Sequence, residues 1–288
     1  MASLREIRQR IKSVENINGI TKAMELISAV RYKKIDKRYK GAIPYYETLE
    51  SLIDRIISPE RIAGNPLFEV RPVKKELVVV ITGDRGLCGG FNSLIVKEFM
   101  RYQAQNKDRQ IVPYVVGKVG KSQLQNRKVD LFDSWTDVGY DFTLSSIKEK
   151  IDRLTELYLT GEFDAVNILC NAGSRSGAYS QKMEPFLNLS YLLKNESNEN
   201  KSEGGYIFEP EAEGVVNSLV DLFVRQRFYT YLLRSVSAEY FARMLAMKTA
   251  TDNGREMIED LTLLRNKVRQ AMITRELSEI IGGSEALN

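Results

Sequence analysis

The stretch LVDLFVRQRFYTYLLRSVSAEYFARMLAMKTATDNGREMIEDLTLLRNKVRQA (219–271) decides the fold. Stepping alternately three and four residues from Leu219 visits Leu222, Gln226, Tyr229, Leu233, Val236, Tyr240, Arg243, Met247, Ala250, Gly254, Met257, Leu261, Leu264, Val268 and Ala271. Gln226, Arg243 and Gly254 interrupt an otherwise apolar seam. A repeat near 3.5 residues held over that distance marks a coiled coil, not a helix of a globular domain. The helical pattern opens at Glu211 and runs to Gly282, about 105 Å at 1.5 Å per residue. A chain of 288 residues has no globular interior that could hold such a helix.

The other end of the chain carries a second long helix over residues 3–57. Ser3 followed by Glu6 is a capping box. Leu4, Ile7, Ile11 and Val14 then form a stripe that slips at Ile17, Ile20, Met24 and Ile27 and resumes through Tyr32, Ile35, Tyr39, Tyr46, Leu49, Ile53 and Ile56. Such slips locally overwind or unwind a coiled coil without ending it. Gly41 and Pro44 are expected to kink the helix, since proline removes a backbone donor. Antiparallel pairing of the terminal helices satisfies both stripes. The C-terminal helix is the longer, so QAMITRELSEII (270–281) is expected to project unpaired, its apolar side chains needing another protein's surface.

The middle reads differently. ELVVVITG (76–83), RQIVPYVVGK (109–118) and FDAVNILCN (163–171) are β-rich runs separated by helical stretches at 91–105 and 144–161. Buried strands alternating with helices imply a mainly parallel sheet with helical crossovers. The fold class is therefore α/β plus a long antiparallel coiled coil of the N- and C-terminal helices. The domains are 1–57, the N-terminal coiled-coil helix; 58–75, a linker rich in proline; 76–193, the α/β domain; 194–210, a polar flexible loop and foot; and 211–288, the C-terminal helix.

Composition excludes several activities. The chain has no histidine, which removes Ser-His-Asp and Cys-His triads and histidine metal ligands. Cys88 and Cys170 stand far apart, excluding a disulfide framework and a cysteine-rich zinc site, and fitting a reducing compartment. No run approaches the length of a membrane span. Glu6 and Glu15 argue against reading the Arg-rich start as a transit peptide. A net charge of +4 does not by itself argue for nucleic acid.

Three local features carry possible chemistry. GDRGLCGGFN (83–92), between a strand and a helix, could cradle a phosphate on backbone N–H groups. It has neither G-x-G-x-x-G spacing nor the G-K-[ST] of a P-loop. The preferred reading is a structural tight turn, with a partner-contacting loop as another. RYKKIDKRYK (31–40) reads as a solvated helix face or a docking surface for an acidic protein loop, a nucleic-acid helix being the third reading. Arg243 and Gly254 cost stability on the seam. Arg243 either snorkels out of it or makes a charged contact to a surrounding protein.

INGITKAMELISAVRYKK (17–34), TGDRGLCGGFN (82–92), YIFEP (206–210), SAEYFARMLAMKTATDN (237–253) and, most specifically, NKVRQAMITRELSEIIGGSEAL (266–287) resemble the γ subunit of F-type ATP synthases along almost the whole chain. Ser284 stands where that family usually has alanine. The middle domain lacks the cysteine-bearing insertion of the chloroplast form, so the chain looks bacterial in type.

The resemblance implies a non-catalytic central rotor without cofactors, its Rossmann-like domain binding no nucleotide. The helices would turn inside a ring of three α and three β subunits and carry torque from the membrane rotor ring of c subunits, coupling ion flow to ATP synthesis. The ε subunit would be a further partner. The location would be peripheral, at the cytoplasmic face of the inner or plasma membrane, with no direct insertion and no nucleic acid. It further implies that Lys22 and Met24 face the β subunits, and that Arg243, Arg269, Gln270 and Thr274 hydrogen-bond to loops of the ring. Ile273, Leu277, Ile280 and Ile281 would seat the tip in an apolar sleeve, and Glu209 would meet the c ring.

The alternatives are a Rossmann-type enzyme with a coiled-coil dimerisation module and a nucleic-acid-binding coiled coil. The first needs a nucleotide pocket around 83–92; the second needs basic clusters at several places. In the isolated chain the unpaired tip should fray. Amide exchange checks this: fast exchange over residues 260–281 is expected, and protection throughout that span would overturn it.

Overall fold

The computed structural model describes residues 3–62, 64–173, 179–197, 208–209 and 211–285. Its two longest helices are α1 (Leu4–Ile56, 53 residues) and α5 (Ala212–Glu285, 74 residues). Their residues divide between two compact units. A terminal unit holds Met1–Ala29 and Arg243–Asn288, and a central unit holds Val30–Ala242.

In the terminal unit the capping box forms at the first turn of α1. Ser3 N donates to Glu6 Oε2 at 2.9 Å and Glu6 N donates to Ser3 Oγ at 3.2 Å. Ile7 and Ile11 are buried. Thr21 meets Thr251 and Asn18 meets Gly254. Three residues back along α1 is three residues forward along α5, so the helices are antiparallel. Extending that pairing sets Leu4 opposite Val268, and every residue of α5 from Arg269 to Gly282 is exposed.

Two expectations about the seam are corrected here. The stripe Ile17, Ile20 and Ile27 does not face α5: these side chains are 56%, 60% and 51% exposed. The inward positions are Asn18, Thr21 and the buried Ser28. A second, outward apolar face has opened on α1, and the apparent phase slip is that face. Farther along α5, Met257 and Leu264 turn outward, while Ile258 and Arg265 are half-buried in their place. The reason is the period of a straight helix, 3.6 residues, which drifts against a 3.5-residue count.

Within the central unit α1 and α5 are also antiparallel partners. Tyr32 packs on Phe241 at 5.2 Å between ring centroids, Arg38 donates to Tyr229 Oη at 3.0 Å, and Tyr46 stacks on Phe223 at 5.7 Å. Helix α1 continues as helix through Gly41 and Pro44. Its Ile35, Leu49, Ile53 and Ile56 enter the main core.

The sheet contains β1 (Lys75–Ile81), β2 (Gln110–Val116), β3 (Asp133–Trp135), β4 (Ala165–Gly173) and β5 (Tyr179–Leu187), in the order β3-β2-β1-β4-β5. The first four are parallel, and β5 pairs antiparallel with β4. Period two along β1 sends Leu77, Val79 and Ile81 to one face and Val78 and Val80 to the other. The first set packs with α1, α5 and α4 (Leu144–Leu159). The second packs with Ile95, Val96 and Phe99 of α2 (Phe91–Gln105) and Leu124 of α3 (Lys118–Gln125).

Three elements were not legible in the pattern. β3 has three residues, α3 carries two buried positions, and β5 (YSQKMEPFL) looks polar and contains a proline. Such a strand is tolerated at a sheet edge, where one side of its backbone needs no partner. The segment read as linker (58–75) is packed in part: Ile62, Leu67 and Phe68 are buried, and Asn65 Oδ1 accepts from Leu67 N at 3.0 Å. Residues 190–197 form a 3-10 helix, and 198–207 and Pro210 lie outside the described residues.

The Glu76 carboxylate lies fully inside this unit. Glu76, at the start of β1, pairs with Arg109 at 3.1 Å and accepts from Tyr102 Oη at 2.9 Å and Asn167 Nδ2 at 2.6 Å. Burial, with the adjacent carboxylate second, pushes the Tyr102 phenol up to about 12. Removing one partner of a buried pair strands the other charge. Arg109→Met is therefore expected to lower stability by about 3 kcal/mol, and a Glu76→Leu partner change to recover most of that loss. Urea denaturation midpoints of the single and double variants check both.

Candidate functional site

In an open α/β sheet the ligand crevice lies beyond the carboxyl ends of the strands, where the strand order reverses. Here the reversal falls at β1, with β2 on one side and β4 on the other. The glycine-rich turn 83–92 follows β1 at that place. Its own residues fill it. Gly83 N donates to Asn92 Oδ1 at 2.8 Å, and Asn92 Nδ2 reaches Cys88 Sγ at 3.2 Å. Asp84 accepts from three backbone N–H groups, those of Lys118 (3.1 Å), Asp137 (3.0 Å) and Val138 (2.9 Å). The carboxylate thus caps α3 and ties down the 137–138 segment, where a bound anion would compete for the same donors.

The helix α5 closes what remains. Cys88 and Phe91 form a small core with Ala238 and Ala242. A Cβ on Gly83 would lie 2.7 Å from the Glu239 carboxyl group, so a larger residue there would push the end of that side chain aside. Gly117, at φ +98°, and Gly120 are similarly pressed on Thr82. The tight-turn reading of 83–92 describes this geometry. Leu87, at φ +60°, is exposed, as are Arg85, Gly86 and Gly89.

In the basic run 31–40, Lys33, Lys34, Lys37 and Lys40 are exposed and Arg31 and Arg38 are half-buried. Arg38 donates to the carbonyls of Tyr140 (3.0 Å) and Phe142, and Lys34 pairs with Asp141 at 2.8 Å. Arg31 lies 4.8 Å over the Tyr140 ring, and Lys40 pairs with Asp36 at 2.6 Å. Part of the run is thus engaged by residues 140–142 of the same chain. The hydrogen bond from Lys34 holds the Asp141 carboxyl below its ordinary value.

The interaction residues named from sequence fall into two groups. Arg269, Gln270, Ile273, Thr274, Leu277, Ile280 and Ile281 all lie on the exposed stretch of α5 beyond the start of α1. The four apolar residues among these are between 49% and 68% exposed, and Arg275 pairs with Glu279 at 2.8 Å beside them. Lys22 is half-buried and pairs with Glu25 at 3.0 Å, and Met24 is half-buried near the exposed Ile17, Ile20 and Ile27. Arg243 belongs to neither group. It is 5% exposed and partnered, so it does not snorkel from the seam, and a buried guanidinium keeps its place when its donors are met. Glu209 is exposed; Tyr206, Ile207 and Pro210 around it are outside the described residues.

Sequence reasoning missed the role of Asp84 and the outward face of α1. The polar spacing Asn18, Thr21, Ser28 was the available signal for the second, since buried seams avoid such residues. No helix among the described residues is long and apolar enough to cross a membrane. Among the same residues, no three His, Cys, Asp or Glu side chains gather as a metal would require.

Paired terminal helices, a Rossmann-like sheet and a ligand crevice closed by one of those helices define a helical-stalk class of protein. The family model described as ATP synthase matches residues 3–287. The chain is 37% identical to the ATP synthase gamma chain of Flavobacterium johnsoniae and 34% identical to that of Pelotomaculum thermopropionicum, each match covering 100% of both chains. Among solved structures it is similar to a chain of the Tetrahymena thermophila mitochondrial ATP synthase central stalk and c ring. That match has a TM-score of 0.62 and 25% identity, covering 80% of this chain and 99% of that one. A Euglena gracilis mitochondrial ATP synthase chain shares the fold at a TM-score of 0.68 and 18% identity, covering 99% of this chain and 94% of that one. The chain belongs to the ATP synthase gamma family.

Asp84→Ala removes the acceptor of three N–H groups and is expected to cost about 2 kcal/mol. Amide exchange should quicken at residues 118, 137 and 138. A titration of the unmodified chain with adenine nucleotide should leave the amide signals of 83–92 in place.

Proposed function

We propose that this chain is the central rotor shaft of an F-type ATP synthase. It transmits torque between a membrane ring of c subunits and a surrounding ring of three α and three β subunits, and has no catalytic site of its own. The observation that carries the reading is the run of α5 from Arg269 to Gly282, exposed throughout and apolar at Ile273, Leu277, Ile280 and Ile281. An apolar stripe without a partner helix calls for another protein's surface. Contacts of that kind are non-directional, as a bearing requires. The outward face at Ile17, Ile20 and Ile27, with Lys22 and Met24 beside it, is a second band for the β subunits.

In this reading Arg269, Gln270 and Thr274 supply hydrogen bonds to the ring, and Glu209 and the ε subunit belong to the end nearer the c ring. Arg243 contributes from within the seam. Rotation changes which β subunit each face meets, and differential contact between states is what biases a conformational equilibrium. The closed crevice at 83–92 supports a non-catalytic role. The place of action would be peripheral, at the cytoplasmic face of the membrane.

Reconstitution with α and β subunits tests the reading. A single ATPase-active complex should form when the chain is added. Replacing Ile273, Leu277, Ile280 and Ile281 by serine should weaken its assembly and activity at least tenfold, roughly the loss of one to two buried aliphatic contacts. Assembly and activity indifferent to these four changes would overturn the bearing, and no complex at all would overturn the rotor reading.

A further inference from the structure

Glycine in the middle of a 74-residue helix is unfavourable, and so is a buried acceptor without a donor; the terminal unit has both, in contact. Asn18 Oδ1 lies 2.7 Å, and its Cγ 3.2 Å, from where a Cβ on residue 254 would stand. A Cβ there would have to displace the end of the Asn18 side chain, so the amide occupies a notch that the glycine leaves open. The same oxygen is shielded from solvent and has no hydrogen-bond partner. One turn away, Thr251 Oγ1 and Thr21 Oγ1 lie 3.0 Å apart across the seam, within hydrogen-bond reach of each other and, respectively, of the Met247 carbonyl (2.9 Å) and the Asn18 carbonyl (3.0 Å).

Apolar seams hold helices together without fixing them lengthwise, because the contacts are non-directional. A polar layer fixes register at a cost in stability. Displacing α1 by a heptad in either direction would set Asn18 against Leu261 or Met247, and Thr21 against Ile258 or Met244. None of these offers a notch or a hydroxyl partner.

We propose that Asn18 in the Gly254 notch, together with the Thr21–Thr251 hydrogen bond, locks α1 against α5 along the helix axis, so that the pair moves as one piece. The purpose of the lock rests on the rotor reading, since a shaft whose strands slide dissipates twist. The lock itself is a property of this chain alone.

The test uses the full chain with spin labels on Lys12→Cys and Asp252→Cys, both exposed, the native Cys88 and Cys170 being buried. Pulsed EPR reads the spread of inter-label distances, and circular dichroism reads the melting temperature. Gly254→Ala should lower the melting temperature and broaden the distances. Adding Asn18→Ala should return melting to at least the starting value, because alanine favours helix at both positions. The distance distribution should nevertheless stay broad. Thr21→Val with Thr251→Val should show the same split, unchanged or higher melting with a broader distribution. Failure of Asn18→Ala to rescue Gly254→Ala would overturn the notch, and a distribution that narrows in step with melting would overturn the lock. Neither readout involves another subunit, so a chain that never enters a ring would sink the rotor reading while these measurements still decide the lock.

Discussion

Everything in this chain depends on one constraint: a long helix with an apolar stripe must have that stripe covered. α1 and α5 cover each other as antiparallel partners, shown by Asn18 with Gly254 in the terminal unit and by Tyr46 with Phe223 in the central one. Because α5 is 21 residues longer (74 against 53), the cover runs out at Val268. The remaining side chains stay in water or find a partner. The unpaired tip is thus a consequence of unequal helix lengths, and the proposed bearing surface follows from it.

The same constraint explains why a sheet of nucleotide-binding topology carries a closed crevice. In the central unit α5 covers its stripe partly on the sheet's own carboxyl edge, with Ala238 and Ala242 on Cys88 and Phe91 and Glu239 against Gly83. The loop that elsewhere receives phosphate here receives a helix. Asp84 completes the change by taking the N–H donors of Lys118, Asp137 and Val138. Fold topology alone does not assign a ligand.

Charge is used inside the chain more than its sequence suggests. Arg31, Lys34 and Arg38 look like a basic face, yet they hold Tyr140, Asp141 and Phe142. Glu76 looks like an ordinary strand residue and is wholly buried, its cost offset by Arg109, Tyr102 and Asn167. Sequence patterns register the sign of a charge and its spacing. They do not register a partner that lies a hundred residues away.

The sequence by itself determined the two terminal helices, the strands β1, β2 and β4, the helices α2 and α4, the capping box at Ser3 and Glu6, and the exposed tip. These rest on local periodicity and backbone chemistry, which neighbouring residues suffice to set. The tertiary structure decided what needed a distant partner to be seen. It placed Ile17, Ile20 and Ile27 outward and Asn18 and Thr21 inward, it buried Arg243, and it made strands of β3 and β5. It also gave Gly254 its reason, because a glycine reads as a weakness along one helix and as a socket only when Asn18 of the other is in it. A period states that a face exists; which face is buried is settled by the surface that arrives to cover it.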